Sequence, residues 1–294
     1  MVKEANLLKG AEIARRVQDE LRSELAEIKE KYKEMPKLVA LQVGIPPASE
    51  LYVKKQKETA ELLGIHYELI SMPENSTEKQ VLDKVAALNH DSKVHAIIIQ
   101  MPTPAHIHGN HILSAVDSHK DAEGVHVDNL GRLVMQTAKV VPCTALAAVR
   151  LAESAGIDLH GKEAVIVGQS KIVGRPAALL LLEHKCTVTI CHSGTSKAGK
   201  LEEHVKRAEV LIVAVGKANM IPGKWIREGA IVIDVGINRV EGKTIGDVDF
   251  EGAKSRAAYI TPVPGGVGPL TVTMLMKNVV QAYLWQKGEF GDDE

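Results

Sequence analysis

The chain has 294 residues, 45% hydrophobic and 25% charged, enough for two domains and too apolar for an intrinsically disordered chain. A formal net charge of -1 and 3% aromatic residues leave neither a basic field nor a stacking platform for nucleic acid, and no stretch has the length of a membrane span. The three cysteines, Cys143, Cys186 and Cys191, form no CxxC pair, and the start MVKEANLLKG carries no signal-peptide pattern, so a cytoplasmic protein without a disulfide framework is expected.

In chain order, Ile13, Val17, Leu21, Leu25 and Ile28 recur at helical spacing and predict a helix over 11–32, ended by Pro36. A buried strand at 38–43 closes on Gly44, a helix at 51–63 stops at Gly64, and a strand at 67–71, a helix at 78–89 and a strand at 96–100 follow. The polar run 117–140 reads as irregular. A helix at 144–155 then leads into β-rich runs at 164–167, 187–191, 210–215, 230–235 and 258–261, and a last helix covers 271–286. Strand–helix alternation occurring twice predicts two α/β domains, the second a Rossmann-like doubly wound parallel sheet, with the division near Val141.

The run AVIVGQSKIVGRPAALLLL starts at Ala164 and joins a strand to a helix through a turn containing Gly168, Ser170 and Gly174. Glycines there let backbone approach phosphate, and the helix N-terminus meets the anion; the alternative is a tight turn with no ligand. The second strand ends at Ser193, with Thr195 and Lys197 beyond it and no acid to bind a free ribose 2′-hydroxyl, which leans towards NADP. Val215 with Gly216, and Val235 with Gly236, end two further strands where backbone can approach a cofactor.

On the other side, Tyr52 is followed three and four residues on by Lys55 and Gln56, one helix face on which a phenol and an ammonium would share protons; otherwise this is a surface helix with scattered lysines. Gln100 ends a buried strand before Met101, Pro102, Thr103 and Pro104, where open α/β sheets meet ligands. A carboxylate in KDAEGVHVDNLGRL, which starts at Lys120, could hold an aminopyrimidine edge, unless the run is a solvated loop. TPVPGGVGPLT, starting at Thr261, is a rigid loop of unusual backbone angles. His106, His108 and His111 in HIHGNH suggest a metal, but no cysteine or clean helical HxxxH register supports them, and no metal is expected.

These segments together resemble the methylenetetrahydrofolate dehydrogenase/cyclohydrolase family. VGIPPAS before Tyr52, IIIQMPTP, KDAEG and GRL, PCT at Pro142, GQSKIVGRP, CHSGT, DVGIN at Asp234, GDVDF at Gly246 and TPVPGGVGPLT stand in that family's order across essentially the whole chain. The resemblance implies oxidation of 5,10-methylenetetrahydrofolate to 5,10-methenyltetrahydrofolate with NADP or NAD, in many members followed by hydrolysis to 10-formyltetrahydrofolate, and a homodimer. It assigns residues 1–140 plus 271–294 to a folate-binding catalytic domain and 141–270 to the nucleotide domain. Folate contacts fall to Tyr52, Gln100, Glu123, Pro264, Gly265 and Gly266, and nucleotide contacts to Gly168, Gln169, Ser170, Ile172, Val173, Gly174, Ser193, Val215, Gly216 and Ile237.

Four departures from the family pattern bear on activity. Its lysine four residues after the tyrosine is Gln56, which cannot relay a proton, so the dehydrogenase is expected to survive and the cyclohydrolase to be weak or lost, unless Lys55 substitutes. Its loop aspartate is Glu123; the arginine after the first turn glycine is Gln169, which offsets the NADP lean and leaves the nucleotide open; and Ala145 and Val125 replace a proline and an aromatic. The competing readings are a fully bifunctional enzyme, a non-catalytic binding paralogue, and a Rossmann oxidoreductase with another small substrate.

Overall fold

The structure, a computed structural model, describes residues 4–44 and 50–290. Residues 45–49, within the run preceding Tyr52, lie outside it. The chain forms β1 (Asn6–Leu7), α1 (Gly10–Tyr32), β2 (Lys37–Val43), α2 (Glu50–Leu63), β3 (His66–Met72), α3 (Glu78–His90), β4 (Ala96–Ile99), α4 (Gly109–Ala115) and α5 (Val127–Val134). It continues as α6 (Cys143–Glu153), β5 (Glu163–Val167), α7 (Gly174–Glu183), β6 (Thr187–Cys191), α8 (Ser193–Lys197), α9 (Leu201–Arg207) and β7 (Val210–Val213). A 3-10 turn at Gly223–Trp225, β8 (Ile231–Asp234), β9 (Asn238–Val240), β10 (Lys243–Ile245), α10 (Phe250–Lys254), β11 (Tyr259–Ile260) and α11 (Val267–Gln286) complete it. Two compact units result: residues 4–16 with Thr144–Thr271, and Val17–Cys143 with residues 272–290.

The second unit is built on a three-stranded parallel sheet in the order β3-β2-β4, with Leu41 opposite Ile70 on one side and Ile99 on the other. Central β2 is buried along nearly its whole length, as expected of a parallel strand covered on both faces. Val39, Leu41 and Val43 pack with Ile97 and Ile99 against Val81, Val85 and Leu88 of α3 and Ile112 of α4. Two local signals set the helix ends. Thr77 and Gln80 form a reciprocal capping box at the start of α3, and Lys33, at φ 55, stops α1 as a left-handed residue ahead of Pro36.

The first unit holds a six-stranded sheet in the order β1-β11-β8-β7-β5-β6, parallel throughout. The chain winds outward from β5 to β6 and then returns to β7 on the other side of β5. The strand order therefore reverses beside β5, and its carboxyl end opens the crevice where such sheets bind ligands. The doubly wound reading is met.

Three local expectations differ. The last helix starts at Val267, inside the proline- and glycine-rich run, because Pro269 falls in its first turn, where no helical N–H is needed. The stretch 117–140 contains α5, whose cap is His126 accepting from Asp128 N, and whose buried face includes a polar residue, Asn129, that hides the apolar periodicity. HIHGNH opens a helix, α4, with His108 as its cap residue. No helix among the described residues is long and apolar enough to cross a membrane.

Candidate functional site

In the second unit, α2 buries Gln56, Ala60 and Leu63 on one face and leaves Lys55 on another, where its ammonium lies 2.7 Å from Glu58 in solvent. Gln56 is fully buried. Its Oε1 accepts from Gln100 Nε2 at 2.9 Å and from the Tyr67 hydroxyl of β3 at 3.1 Å. Its Nε2 is buried with no partner among the described residues, a donor left for something else to accept. Gln100 is fixed at the end of β4 by its own N–H donating to Leu41 O at 2.8 Å. The structure thus brings together Tyr52, Gln56 and Gln100, and it separates Lys55 from them.

Glu123 enters from the loop after Asp121, which pairs with Ile97 in an isolated parallel bridge. The Asp121 carboxylate accepts from the backbone N–H of Glu123, Gly124 and His126 and from Asn129 Nδ2, and so folds the loop around itself. From α11, Asn278 Nδ2 reaches Ala122 O at 2.9 Å, Val141 O at 2.8 Å and Cys143 Sγ at 3.3 Å, tying that loop to the start of α6. Burial, reinforced by the Asp121 charge, pushes the Glu123 carboxyl up to about 8. Burial also raises the Tyr52 phenol, with Cys143 and Glu123 adding to the effect. Tyr67 goes up to about 12 by burial alone. At neutral pH the site therefore offers two phenol O–H groups, two carboxamides and a carboxyl poised to ionise, with no ammonium among them. Lys120, first in the loop motif, has its Nζ bonded to Leu88 O and Asp91 O instead.

In the first unit, β5 runs into Gly168 at φ 125, where a Cβ would lie 2.3 Å from Ala214 O, and a Cβ on Gly174 would lie 2.1 Å from Gly168 O. Both positions exclude any side chain, so the turn is pressed against β7 and α7 is pressed against the turn. The Ser170 hydroxyl accepts from Val173 N and Gly174 N and caps α7. Gln169 and Ser170 are exposed, Val173 is buried, and Ile172 and Ile237 present apolar side chains to solvent. After β6, Thr195 is spent on a capping box with His192, while Ser193 and Lys197 stay exposed. Pro264 lies in the run before α11. Gly265 there takes φ 108, and a Cβ on Gly266 would meet Pro262 O at 2.7 Å.

Two buried acids that sequence reasoning did not single out shape the nucleotide-side loops. Asp247 accepts from Val215 N at 2.7 Å, Gly216 N at 2.9 Å, Lys217 N at 2.8 Å and Asn238 Nδ2 at 2.9 Å. Asp234 accepts from Gly236, Asp247 and Val248 N–H groups, and burial still pushes it up to about 6. Gly236 and Gly246 give these carboxylates room: a Cβ on either would meet one within 2.2 Å. Their signal lay in DVGIN and GDVDF, each an acid set close to a glycine. A glycine cradle at the strand reversal, exposed apolar side chains beside it and loops pinned by buried acids fit a dinucleotide.

Residues 8–123 match the family described as tetrahydrofolate dehydrogenase/cyclohydrolase, catalytic domain, and residues 142–287 match its NAD(P)-binding domain. The bifunctional protein FolD of Magnetococcus marinus is 45% identical over 278 residues, covering 94% of this chain and 96% of that protein. FolD of Bacillus subtilis is 43% identical over 279 residues, covering 95% and 97%. Among solved structures, the bifunctional FolD of Campylobacter jejuni superimposes with a TM-score of 0.91 at 40% identity, covering 96% of this chain and 99% of that one. The Trypanosoma brucei enzyme, complexed with NADP and an inhibitor, gives 0.91 at 35% identity over 97% and 99%. With both halves of the chain matched in order and relatives aligned over nearly their full lengths, the chain belongs to the tetrahydrofolate dehydrogenase/cyclohydrolase family.

Proposed function

We propose that the chain is an NAD(P)-dependent 5,10-methylenetetrahydrofolate dehydrogenase of one-carbon metabolism whose cyclohydrolase step is weak or lost. Dehydrogenation by NAD(P) is what the family and its relatives support. The restriction to that step rests on one observation: a fully buried Gln56, bonded to Gln100 and Tyr67, occupies the position to which the resemblance assigns a lysine. A bound NAD(P) supplies hydride acceptance. The chain's own residues have to bind and orient the folate, and that needs no proton carrier.

In this reading the Glu123 carboxylate accepts from the aminopyrimidine edge of the pterin, and Tyr52 and Gln100 fix its orientation. Gln56 Nε2 gives its unused hydrogen to the folate. Gly168, Gln169, Ser170, Ile172, Val173 and Gly174, with Ser193, Val215, Gly216 and Ile237, hold the dinucleotide, and Pro264, Gly265 and Gly266 are assigned to folate contacts. Hydrolysis of the methenyl cation requires proton transfers to and from water, which a carboxamide cannot perform. A homodimer acting in the cytoplasm is part of the same reading, and sedimentation tests the dimer.

The bifunctional reading needs Lys55 or ordered water as a stand-in, and the salt bridge of Lys55 to Glu58 on a solvent-facing side of α2 disfavours the first. The test is a time course on purified protein with 5,10-methylenetetrahydrofolate, run with NAD and with NADP, following reduced nucleotide and the methenyl chromophore together. Methenyl accumulating and decaying at its spontaneous rate supports the proposal. Faster decay refutes the hydrolase part, and no nucleotide reduction refutes the whole.

A further inference from the structure

HIHGNH has two histidines, His108 and His111, at the spacing of one helix face, while its third, His106, turns its ring to Ser76 O. The fold supplies a third ligand from thirty residues earlier. His108 caps α4 and His111 is the third residue of that helix; their rings stack with centroids 5.1 Å apart and planes 28° apart. Facing them is Glu78, the first residue of α3, held by the Thr77–Gln80 capping box. Glu78 Oε2 lies 2.9 Å from His108 Nδ1 and Oε1 lies 3.1 Å from His111 Nδ1, and Oε2 also accepts from His108 N at 2.7 Å. One ligand atom from each of the three residues falls within 4.8 Å of the others.

We propose that Glu78, His108 and His111 form a surface site for one divalent transition-metal ion of the zinc class. Two imidazoles and one carboxylate are the ligand set for such ions, and the nitrogens disfavour magnesium and calcium. In a tetrahedral site with bonds of about 2.0–2.1 Å the ligand atoms stand about 3.3 Å apart, so an ion would displace the hydrogens now shared between ring and carboxylate and draw together ligand atoms that already lie within 4.8 Å. Both anchors are already ordered. The backbone N–H of His108 holds the carboxylate in place, and His106 binds Ser76 O at 2.9 Å, which fastens the same loop to the start of α3 from the other side. Water would complete the coordination. The ion would cross-link α3 to the segment that leaves Gln100, and it is a structural clamp, not a participant in the folate chemistry.

The test uses the full-length, tag-free chain after chelator treatment and dialysis. Zn2+ is titrated by calorimetry, Co2+ by visible absorption, and melting is followed with and without Zn2+. The expected result is one ion per chain, d–d bands of nitrogen- and oxygen-coordinated cobalt, and a melting temperature raised by zinc. Glu78→Gln and His111→Ala should each weaken affinity about tenfold or more, whereas the distant His160→Ala should not. Circular dichroism confirms that the variants are folded. No stoichiometric uptake, or uptake unchanged in both ligand variants, overturns the site.

Discussion

Replacing Gln56 by lysine puts a proton carrier into this pocket. Gln56 Oε1 now accepts two hydrogen bonds, from Gln100 at 2.9 Å and Tyr67 at 3.1 Å, and a lysine Nζ can only donate. Losing two neutral hydrogen bonds at about 0.5–1.5 kcal/mol each costs about 1–3 kcal/mol before removal of the unpartnered Nε2 returns part of it, which lowers the melting point by a few degrees. Burial at a fully enclosed position lowers a lysine's pKa, which places free amine and ammonium together near neutral pH. A positioned acid–base group contributes about 10²–10⁴-fold. Gln56→Lys should therefore hydrolyse 5,10-methenyltetrahydrofolate at least about a hundredfold faster than the unaltered chain, with dehydrogenase kcat changed by less than about tenfold. The assay is loss of the methenyl chromophore against a protein-free blank, beside nucleotide reduction on the same preparation. A folded, dehydrogenating Gln56→Lys enzyme that hydrolyses no faster than its parent would refute the assignment of the missing step to this residue.

Other positions make separate claims. Asp247→Asn sets an NH2 group against two donors whichever way it is turned; losing two bonds to a charged acceptor, about 1.5–3 kcal/mol each, should lower the melting point by roughly 10–20 °C and raise KM for NAD(P), and a shift below about 2 °C would contradict it. Gly174→Ala puts a Cβ 2.1 Å from the Gly168 carbonyl, so the turn must move, and NAD(P) binding measured by nucleotide fluorescence should weaken about tenfold or more while folate binding persists. Glu123 is raised from 4.5 to about 8 on folding, so the folded chain keeps a proton that the unfolded chain has already released. Its contribution to stability is present below about pH 4.5 and declines as pH rises towards 8, with a slope of at most about 1.4 kcal/mol per pH unit. Melting curves from pH 5 to 8 should show Glu123→Gln losing less stability with pH than its parent, and parallel curves would refute the shift. Lys55→Met should leave both activities unchanged, because that ammonium pairs with Glu58 in solvent.

What the sequence shows and what it hides follow from the range of the interactions concerned. Strands buried on both faces, such as β2 and β5, are short apolar runs bounded by glycine, and turn glycines such as Gly168 are fixed by the local backbone, so both are readable in one dimension. Tyr52 and Gln56 share a helix face by spacing alone. Lys55 shares a turn with them as well, and only packing reveals that it lies on the solvent side. Tyr67 could not be found, since its link to Gln56 runs from a neighbouring strand to a helix, and Glu78 could not be joined to His108 and His111 across thirty residues of chain. α5 escaped notice because its buried Asn129 is paid for by hydrogen bonds to Ser118 and Asp121, not by apolar contact.

Four acids near the two half-sites divide by what their oxygens already hold. Asp121, Asp234 and Asp247 each accept three or more hydrogen bonds, mostly from backbone N–H groups, and each fixes one loop. Their lone pairs are spent, so they shape a site without reacting in it. The Glu123 carboxyl has no such anchor among the described residues, and its burial, reinforced by the Asp121 charge, makes its ionisation costly until a ligand donates to it. A pterin offering two N–H groups would lower that cost, so folate binding and ionisation of Glu123 are linked: tight binding should take up no proton at pH 9 and release one near pH 7. Calorimetry in buffers of different ionisation enthalpy measures that proton directly. Release that does not vary between those pH values would mean that Glu123 is already ionised in the free enzyme and that its extra methylene, relative to the family's aspartate, changes reach alone.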